Sequence, residues 1–191
     1  MHTQTPLLFH DTRPDFIPRL LDEIQVVEYP ECEDFPLPRD LEDCFIDCGH
    51  FSTVWTIPGD PFKVLKVSHR ESDACRHYLR WVFDQPHPAA PKVHHIGYYN
   101  NLMYTVMDRY EAIGGMPRER VPGHAVLQRG LKPDPTKPHE VLCEKIRKNF
   151  TQFKFDLHSN NVMVDRKGNY IITDPVSFTY RTDGEGYVTD I

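Results

Sequence analysis

The sequence has no run of apolar residues that approaches the roughly 18 needed for a membrane-spanning helix. Its first residues, Met-His-Thr-Gln-Thr-Pro, provide neither the basic segment nor the apolar segment of a secretory signal peptide. Basic residues are fewer than acidic ones, since the chain has 22 Lys and Arg but 28 Asp and Glu, which gives a net charge of −6. Since phosphate-backbone binding depends on a basic surface, nucleic acid is not expected as a direct partner. We expect a cytoplasmic protein without membrane contacts.

Cysteines are few and show no paired spacing. The five cysteines include no Cys-x-x-Cys pair, and an odd number is more typical of reduced thiols than of a disulfide framework. A zinc site built on Cys44, Cys48 and His50 is the alternative, because these residues lie close together in sequence. Structural zinc sites normally use two ligand pairs at short spacing, and no second pair is evident. Scattered, solvated histidines are the favoured interpretation.

The 191 residues allow one domain or two small lobes with a hydrophobic core. Charge is unevenly distributed, since residues 1–47 hold 12 acidic and 3 basic side chains while residues 129–154 hold 7 basic and 3 acidic ones. Apolar residues at helical spacing predict a short packing helix over residues 15–27. Residues 29–38 are rich in proline and acidic residues, and we expect no regular structure there.

The middle of the chain is typical of short strands. Residues 44–67 are rich in Phe, Val, Thr and Trp and are interrupted by a Pro-Gly turn. Residues 68–71, Ser-His-Arg-Glu, form a capping-box pattern that predicts the start of a helix. Strands are then expected over residues 92–99 and 102–110, joined at an Asn-Asn hairpin turn.

Irregular structure is expected over residues 113–138, which contain five prolines and two adjacent glycines. A second helix is predicted after Pro138, where apolar residues return at helical spacing. A final hairpin over residues 162–172 is predicted around Lys167 and Gly168. No internal repeat is visible.

The strongest chemical signal lies in residues 155–164 and 171–175. Protein kinases have a catalytic-loop Asp, an Asn five positions later and a metal-binding Asp at the head of the next loop. Asp156, Asn161 and Asp174 have this order and spacing. Phosphoryl transfer needs magnesium held by hard oxygen ligands, close to a carboxylate that orients the acceptor hydroxyl. A chance spacing followed by an ordinary Asp-Pro turn is the alternative.

Motifs upstream of these residues occur in the order that a kinase requires. Residues 47–54 resemble the phosphate-covering loop, with Gly49, Phe51 and Val54 at the expected positions. Lys66 lies in a strand that resembles the one carrying the phosphate-pairing lysine, although a surface lysine is the alternative. This order of loop, lysine, helix, hairpin, crossover and catalytic motif is hard to obtain by chance.

Two residues are candidates for the acidic partner of Lys66. Glu71 has the right length, but the capping box would occupy its carboxylate, so we select Asp73 by a narrow margin. Backbone groups of residues 106–110, at the end of the last strand, are expected to bond the adenine edge. A plain strand end is the alternative.

The chain resembles protein-kinase-fold phosphotransferases, and specifically the serine/threonine protein kinases of short-tailed bacteriophages. The segments that carry the match are residues 49–52, 64–67, 155–159 with Asn161, and 172–178. The resemblance implies a two-lobed α+β protein-kinase-like fold, with an antiparallel-sheet N-lobe and a truncated, mainly helical C-lobe. It implies an ATP- and magnesium-dependent enzyme that phosphorylates host proteins on Ser or Thr in the host bacterial cytoplasm.

The resemblance also assigns roles to individual residues. It implies catalytic roles for Asp156, Lys66, Asp73 and His158, and magnesium binding by Asn161 and Asp174. The residues expected to contact the nucleotide are Gly49, His50, Phe51, Ser52, Val54, Lys66, Met107, Asp108 and Tyr110. Ser177 is predicted as an autophosphorylation site that inhibits the enzyme, because it lies three residues after Asp174 and phosphate adds negative charge there.

Several positions depart from the family pattern. One of the three usual loop glycines is present, and Asp47 and Ser52 replace the others. His158 stands where protein kinases usually have Lys, a replacement shared with small-molecule phosphotransferases. Pro175 and Val176 replace the usual Phe-Gly, so any activation switch must work differently. Since 17 residues follow Asp174, we expect a minimal catalytic core without a long activation segment.

We predict an N-terminal extension at residues 1–40, a nucleotide-binding N-lobe at 41–110 and a minimal catalytic C-lobe at 111–191. Two other functions remain open. A small-molecule phosphotransferase of the antibiotic type is suggested by Asp156-Leu157-His158. A pseudokinase-like inhibitor that binds a host protein is suggested by the reduced glycine loop and the acidic amino-terminal part. The sequence gives no oligomeric state and no identity for the host substrates.

Overall fold

The structure is a computed structural model that describes residues 16–24, 41–49, 51–68 and 73–177. Its first element is helix α1 (Phe16–Glu23), which confirms the helix predicted near the amino terminus. Leu20, Leu21 and Ile24 recur at helical spacing, and each is at most 3% exposed. The connector predicted over residues 29–38 and position His50 lie outside the described residues.

Five antiparallel strands form the main sheet, in the order β1-β2-β3-β5-β4. They are β1 (Phe45–Cys48), β2 (Ser52–Ile57), β3 (Asp60–Ser68), β4 (Val93–Tyr99) and β5 (Leu102–Asp108). The turn between β4 and β5 has positive φ at both Asn100 (45°) and Asn101 (66°). This conformation is typical of a two-residue hairpin and suits asparagine, so the hairpin prediction is confirmed.

The two faces of the sheet contact different parts of the molecule. Side chains alternate along β3, so Leu65 and Val67 point to one face and Val64 and Lys66 to the other. Leu65 and Val67 are fully buried in a cluster with the apolar residues of α1 and with Trp55. Each such large buried side chain contributes about 1.5–3 kcal/mol to stability through burial. Helix α1 therefore covers the face of the sheet opposite to Lys66.

Helix α2 (Cys75–Asp84) packs against the other face, and it begins later than the capping-box pattern predicts. The predicted capping box is wrong at Ser68, which is the last residue of β3 and pairs with Ser52 of β2 and Met103 of β5. The first turn of α2 is instead capped by Asp73, whose Oδ1 accepts the backbone N–H of Cys75 at 2.9 Å. Glu71 lies outside the described residues.

The second half of the chain combines two helices with short strands. The helices are α3 (His124–Arg129) and α4 (Pro138–Asn149), and the strands are β6 (Glu111–Ala112), β7 (Lys154–Phe155), β8 (Val162–Val164), β9 (Tyr170–Ile172) and β10 (Val176–Ser177). Strands β6, β8 and β9 form one small sheet, and β7 pairs with β10. Helix α4 and the β8–β9 hairpin confirm the predictions for these segments, and the antiparallel sheet followed by helices confirms the α+β fold class.

Residues 113–138 contain structure that the sequence pattern did not predict. A 3-10 turn (Arg118–Arg120) and helix α3 lie within this segment. Gly123 precedes α3 with φ at 82°, and a Cβ there would lie 2.5 Å from the Sγ of Cys143 in α4. Glycine thus allows both the backbone turn and the close approach of α3 to α4.

One hydrophobic cluster joins α2 to the inner face of the sheet and to the second half of the chain. It contains Met103 from the sheet, Tyr78 from α2, Leu127 from α3 and Leu142 from α4, each fully buried. Within the described ranges, no helix has the length and apolar character to cross a membrane.

Candidate active site

Asp156, Asn161 and Asp174 are brought together by a set of short hydrogen bonds. The amide Nδ2 of Asn161 donates to the backbone carbonyl of Asp156 at 2.6 Å. The backbone N–H of Asp156 donates to the carbonyl of Pro175 at 2.9 Å, and that of Thr173 donates to the carbonyl of Asn161 at 2.9 Å. The loop that carries Asp156 and Asn161 is therefore bonded to both neighbours of Asp174.

Two short ladders hold this arrangement in place. In the β8–β9 hairpin, Val162 lies opposite Ile172, so Asn161 and Asp174 leave the same end of the hairpin. In the β7–β10 pair, Phe155 lies opposite Val176, so Asp156 and Asp174 also leave one end. Val162 and Ile172 are fully buried, and their burial fixes the register of the hairpin.

Lys66 reaches this cluster from the inner face of the sheet. Its Nζ forms an ion pair of 2.9 Å with the Oδ2 of Asp174 and lies 3.3 Å from the Sγ of Cys75. Only 10% of the Lys66 side chain is exposed, which excludes the surface-lysine alternative. Burial by itself lowers the pKa of Lys66, but Asp174, Cys75 and Asp73 together outweigh it and hold the pKa well above its usual value. Lys66 is therefore a buried ammonium group.

Asp73 is the second carboxylate near Lys66. The ion pair of Lys66 in this structure is with Asp174 rather than with Asp73, and Asp73 acts on Lys66 through charge. Asp73 is 3% exposed, and its Oδ2 has no hydrogen-bond partner among the described residues. Burial raises the pKa of Asp73 to about 6 against the opposing effect of Lys66. The pairing of Lys66 with Asp73 stays a prediction.

Helix α2 is attached to the segment that carries Asp174. The hydroxyl of Tyr78 donates to the carbonyl of Ile172 at 2.6 Å, and Tyr78 is fully buried. The backbone N–H of Ile172 also donates to the carbonyl of Ala89, just after α2, at 2.8 Å. Movement of α2 would therefore displace Asp174 as well as Cys75 and Asp73.

The side chains of His158 and Arg118 lie beside Asp156, and sequence reasoning found one of them. His158, predicted as catalytic, has its Nε2 3.8 Å from the Oδ2 of Asp156, while its Nδ1 accepts the N–H of Asn160. Arg118, which the sequence did not indicate, donates to the Oδ1 of Asp156 and, at 3.3 Å, to the carbonyl of Leu157. Arg118 lies 38 residues before Asp156, and no local pattern links the two.

The predicted phosphate-covering loop is the turn between β1 and β2. The backbone N–H of Gly49 donates to the carbonyl of Ser52 at 2.7 Å and closes the turn. Val54 lies opposite Lys66 in the β2–β3 ladder, so both side chains point to the inner face. Phe51 lies in the same turn and is half-buried. Nucleotide binding by these residues stays a prediction.

The alternative zinc site includes His50, which lies outside the described residues, so that site is not tested by the structure. Among them, no group of three or more His, Cys, Asp and Glu side chains could hold a metal ion. Cys44 is buried in the cluster beneath α1, and Cys48 is half-buried at the end of β1. The cysteines of the described ranges form no disulfide.

The predicted adenine-binding strand end is already hydrogen-bonded within the protein. The backbone N–H of Asp108 donates to the carbonyl of Lys92 at 3.1 Å, and that of Arg109 donates to the carbonyl of Phe62 at 2.8 Å. Met107 lies opposite Val64 in β3 and is 6% exposed. The hydroxyl of Tyr110 accepts the N–H of Lys92 at 2.8 Å. A base bound here must use groups other than the two engaged N–H groups.

The residues present fit a magnesium ion that also binds phosphate. Nδ2 of Asn161 is held by the carbonyl of Asp156, so Oδ1 is the atom left to act as a ligand. Asp174 is 31% exposed, and one of its two oxygens is engaged by Lys66. Magnesium in phosphate-transferring enzymes takes one or two protein carboxylates, with phosphate oxygens and water completing the octahedron. Asn161 and Asp174 supply such a partial set of hard oxygens.

Ser177 lies in β10, directly opposite Lys154 in the β7–β10 pair. Its side chain is half-buried. Its modification stays a prediction.

Comparison with known proteins identifies the family of the chain. The family model described as Bacteriophage T7 protein kinase 0.7 matches residues 40–191. No curated protein gives a significant match. The family match covers most of the chain.

Solved structures give weaker similarities. The PknI kinase domain of Mycobacterium tuberculosis matches at 15% identity and a TM-score of 0.42, covering 68% of this chain and 55% of that one. The kinase PK-1 of Cydia pomonella granulovirus matches at 14% identity and a TM-score of 0.41, covering 68% of this chain and 51% of that one. This chain thus spans about half the length of these structures. By its match over residues 40–191, the chain belongs to the bacteriophage T7 protein kinase family.

Proposed function

We propose that the protein is an ATP- and magnesium-dependent serine/threonine protein kinase that phosphorylates host proteins in the host bacterial cytoplasm during infection. The observation that carries the proposal is the convergence of Asp156, Asn161, Asp174 and Lys66. These four residues come from three separate segments of the chain, yet they are linked by one ion pair and by hydrogen bonds that they or the neighbours of Asp174 make. Membership of a phage protein kinase family supports the same conclusion.

Each residue has a role that follows from its chemistry. Asp156 orients the acceptor hydroxyl and accepts its proton, because its carboxylate lies at the head of the loop. Lys66, held as an ammonium group by Asp174, binds the α- and β-phosphates. Magnesium held by Asn161 and Asp174 would neutralise charge on the transferring phosphates.

The buried carboxylate of Asp73 supports the role of Lys66. If Asp174 held magnesium, its attraction for the ammonium group of Lys66 would decrease, because the cation would compete for the same carboxylate. Asp73 is then the remaining buried negative charge that acts on Lys66, and its Oδ2 has no other partner among the described residues. Asp73 thereby keeps Lys66 charged and in place for the phosphates.

Incubation with labelled ATP, magnesium and an extract of host bacteria tests this function. The wild-type protein is expected to label proteins on Ser and Thr, as phosphoamino-acid analysis of the labelled bands would show. Asp156→Asn keeps the shape of the side chain but removes the proton acceptor, and it is expected to reduce labelling by at least roughly 100-fold.

The other possible functions give different results in the same experiment. Labelling of small molecules without labelling of proteins would identify a small-molecule phosphotransferase. Absence of any transfer by the wild-type protein, together with retained nucleotide binding, would identify a pseudokinase-like binding protein. Either result would refute the proposed function.

A further inference from the structure

Arg118 is the residue outside the predicted set that contacts the proposed catalytic aspartate most directly. It lies in the 3-10 turn Arg118–Arg120, far from the catalytic loop in sequence. Its guanidinium donates to the Oδ1 of Asp156, and its Nε donates to the backbone carbonyl of Leu157 at 3.3 Å. Two contacts with consecutive residues fix both the position and the plane of the guanidinium group.

The guanidinium group retains capacity for a further ligand. Arginine has five N–H donors, and the contacts with Asp156 and Leu157 use two of them. The Arg118 side chain is 49% exposed and that of Asp156 is 35% exposed, so both can be reached from solvent. A planar group with several free donors matches the geometry of phosphate oxygens.

The position of Arg118 relative to a transferring phosphoryl group follows from the role of Asp156. An acceptor hydroxyl bonded to Asp156 lies about 2.7 Å from the carboxylate, and its oxygen attacks a phosphorus atom about 3–3.5 Å away. A guanidinium bonded to the same carboxylate is therefore within reach of the phosphoryl oxygens. Lys66, in contrast, is engaged with Asp174.

Resting on the proposed kinase function, we propose that Arg118 is a catalytic residue that binds the γ-phosphoryl group during transfer. The bond from the acceptor oxygen to phosphorus forms while the bond from phosphorus to the ADP oxygen breaks. The acceptor proton goes to Asp156, and the electron pair of the broken bond leaves on ADP. Arg118 neutralises the charge that the three equatorial oxygens carry between these events.

His158 also lies near Asp156, and its Nδ1 already accepts a backbone N–H within its own turn. Arg118 remains charged at every physiological pH. The permanent cation beside Asp156 is thus supplied by the segment between β6 and α3 rather than by the catalytic loop.

Arg118→Met tests the inference, with Arg120→Met as the matched control. Arg120 is an exposed arginine in the same 3-10 turn and has no part in the proposed site. Arg118→Met is expected to lower kcat by roughly 100-fold or more, as for loss of other charge-stabilising donors. Arg118→Lys, which keeps the charge without the planar fork, is expected to recover part of this loss. Arg120→Met is expected to retain the wild-type rate.

Nucleotide-binding measurements distinguish direct contact of Arg118 with phosphate from an indirect role in positioning Asp156. Magnesium-ADP is measured alone and with aluminium fluoride, which imitates the transferring phosphoryl group. Arg118→Met should bind magnesium-ADP as the wild type does but lose at least roughly 30-fold in affinity for the fluoride complex. Thermal unfolding of each variant shows that the protein is still folded.

The outcomes distinguish failure of this inference from failure of the proposed function. If the wild type phosphorylates proteins and Arg118→Met retains both its rate and its affinity for the fluoride complex, the inference alone is overturned. If kcat falls but the two affinities change in parallel, Arg118 only positions Asp156 and the inference is again overturned. If the wild type transfers no phosphate, the proposed function fails and takes the inference with it.

Discussion

Replacing Asp73 by asparagine removes a buried carboxylate whose proton affinity differs between the folded and unfolded protein. Asp73 is 3% exposed, and burial raises its pKa from the ordinary value of 3.8 to about 6. The folded protein therefore binds this proton more tightly than the unfolded protein does. The contribution of Asp73 to stability is fully present below pH 3.8 and is lost as the pH rises through 6.

The size of this effect follows from the difference in pKa. One pKa unit corresponds to about 1.4 kcal/mol, so ionisation of Asp73 in the folded protein costs about 3 kcal/mol at neutral pH. Asparagine has no proton to lose over this range. The free energy of unfolding of Asp73→Asn, minus that of the wild type, should therefore increase by about 2 kcal/mol between pH 4.5 and pH 7.5.

Urea unfolding of both proteins at the two pH values measures this difference. Comparing the variant with the wild type removes the contributions of all other titrating groups, because both proteins share them. Asp84→Asn is the matched control, since Asp84 is an exposed carboxylate at the other end of α2. If the difference in unfolding free energy between Asp73→Asn and the wild type changes by less than about 0.5 kcal/mol between the two pH values, Asp73 is not a buried acid with a raised pKa.

Three further substitutions test the proposed roles. Lys66→Met should reduce transfer by at least roughly 100-fold, because the cation that binds the α/β-phosphates is lost. Steady-state kinetics measure the rate, and an unchanged rate would contradict the phosphate-binding role of Lys66. Asp174→Ala should reduce the effect of magnesium on ATP affinity in calorimetry, and ATP affinity independent of magnesium in the wild type would count against the assignment. Ser177→Ala should keep activity during long incubation with ATP, whereas the wild type should lose activity as mass spectrometry detects phosphate on Ser177.

Local patterns predicted those features of the molecule that short segments determine by themselves. The Asn100-Asn101 turn was predictable because asparagine adopts positive φ more readily than most residues. The spacing of Asp156, Asn161 and Asp174 was informative because two apolar strands next to them force a hairpin. Helix α4 was predictable from its apolar spacing after Pro138.

Features that depend on distant partners were missed. Ser68 matches a capping-box pattern, but pairing with Ser52 and Met103 extends β3 through it, and neither partner is visible in the local pattern. Arg118 was missed because its significance comes from Asp156, which lies far along the chain. The ion pair of Lys66 with Asp174 was missed for the same reason, since Asp174 lies far along the chain, while the pairing of Lys66 with Asp73 stays a prediction.

Helix α1 determines where the amino-terminal boundary of a stable fragment of this protein should lie. The family match begins at residue 40, after the helix, so a fragment designed from that boundary would omit α1. Phe16 and Leu20, at most 2% exposed, pack in one cluster with Trp55 of the sheet, and removing them would open this apolar face to water. A fragment that starts at residue 40 would expose this apolar face of the sheet and aggregate, although every proposed catalytic residue would still be present. The unit that folds is larger than the unit that sequence comparison delimits.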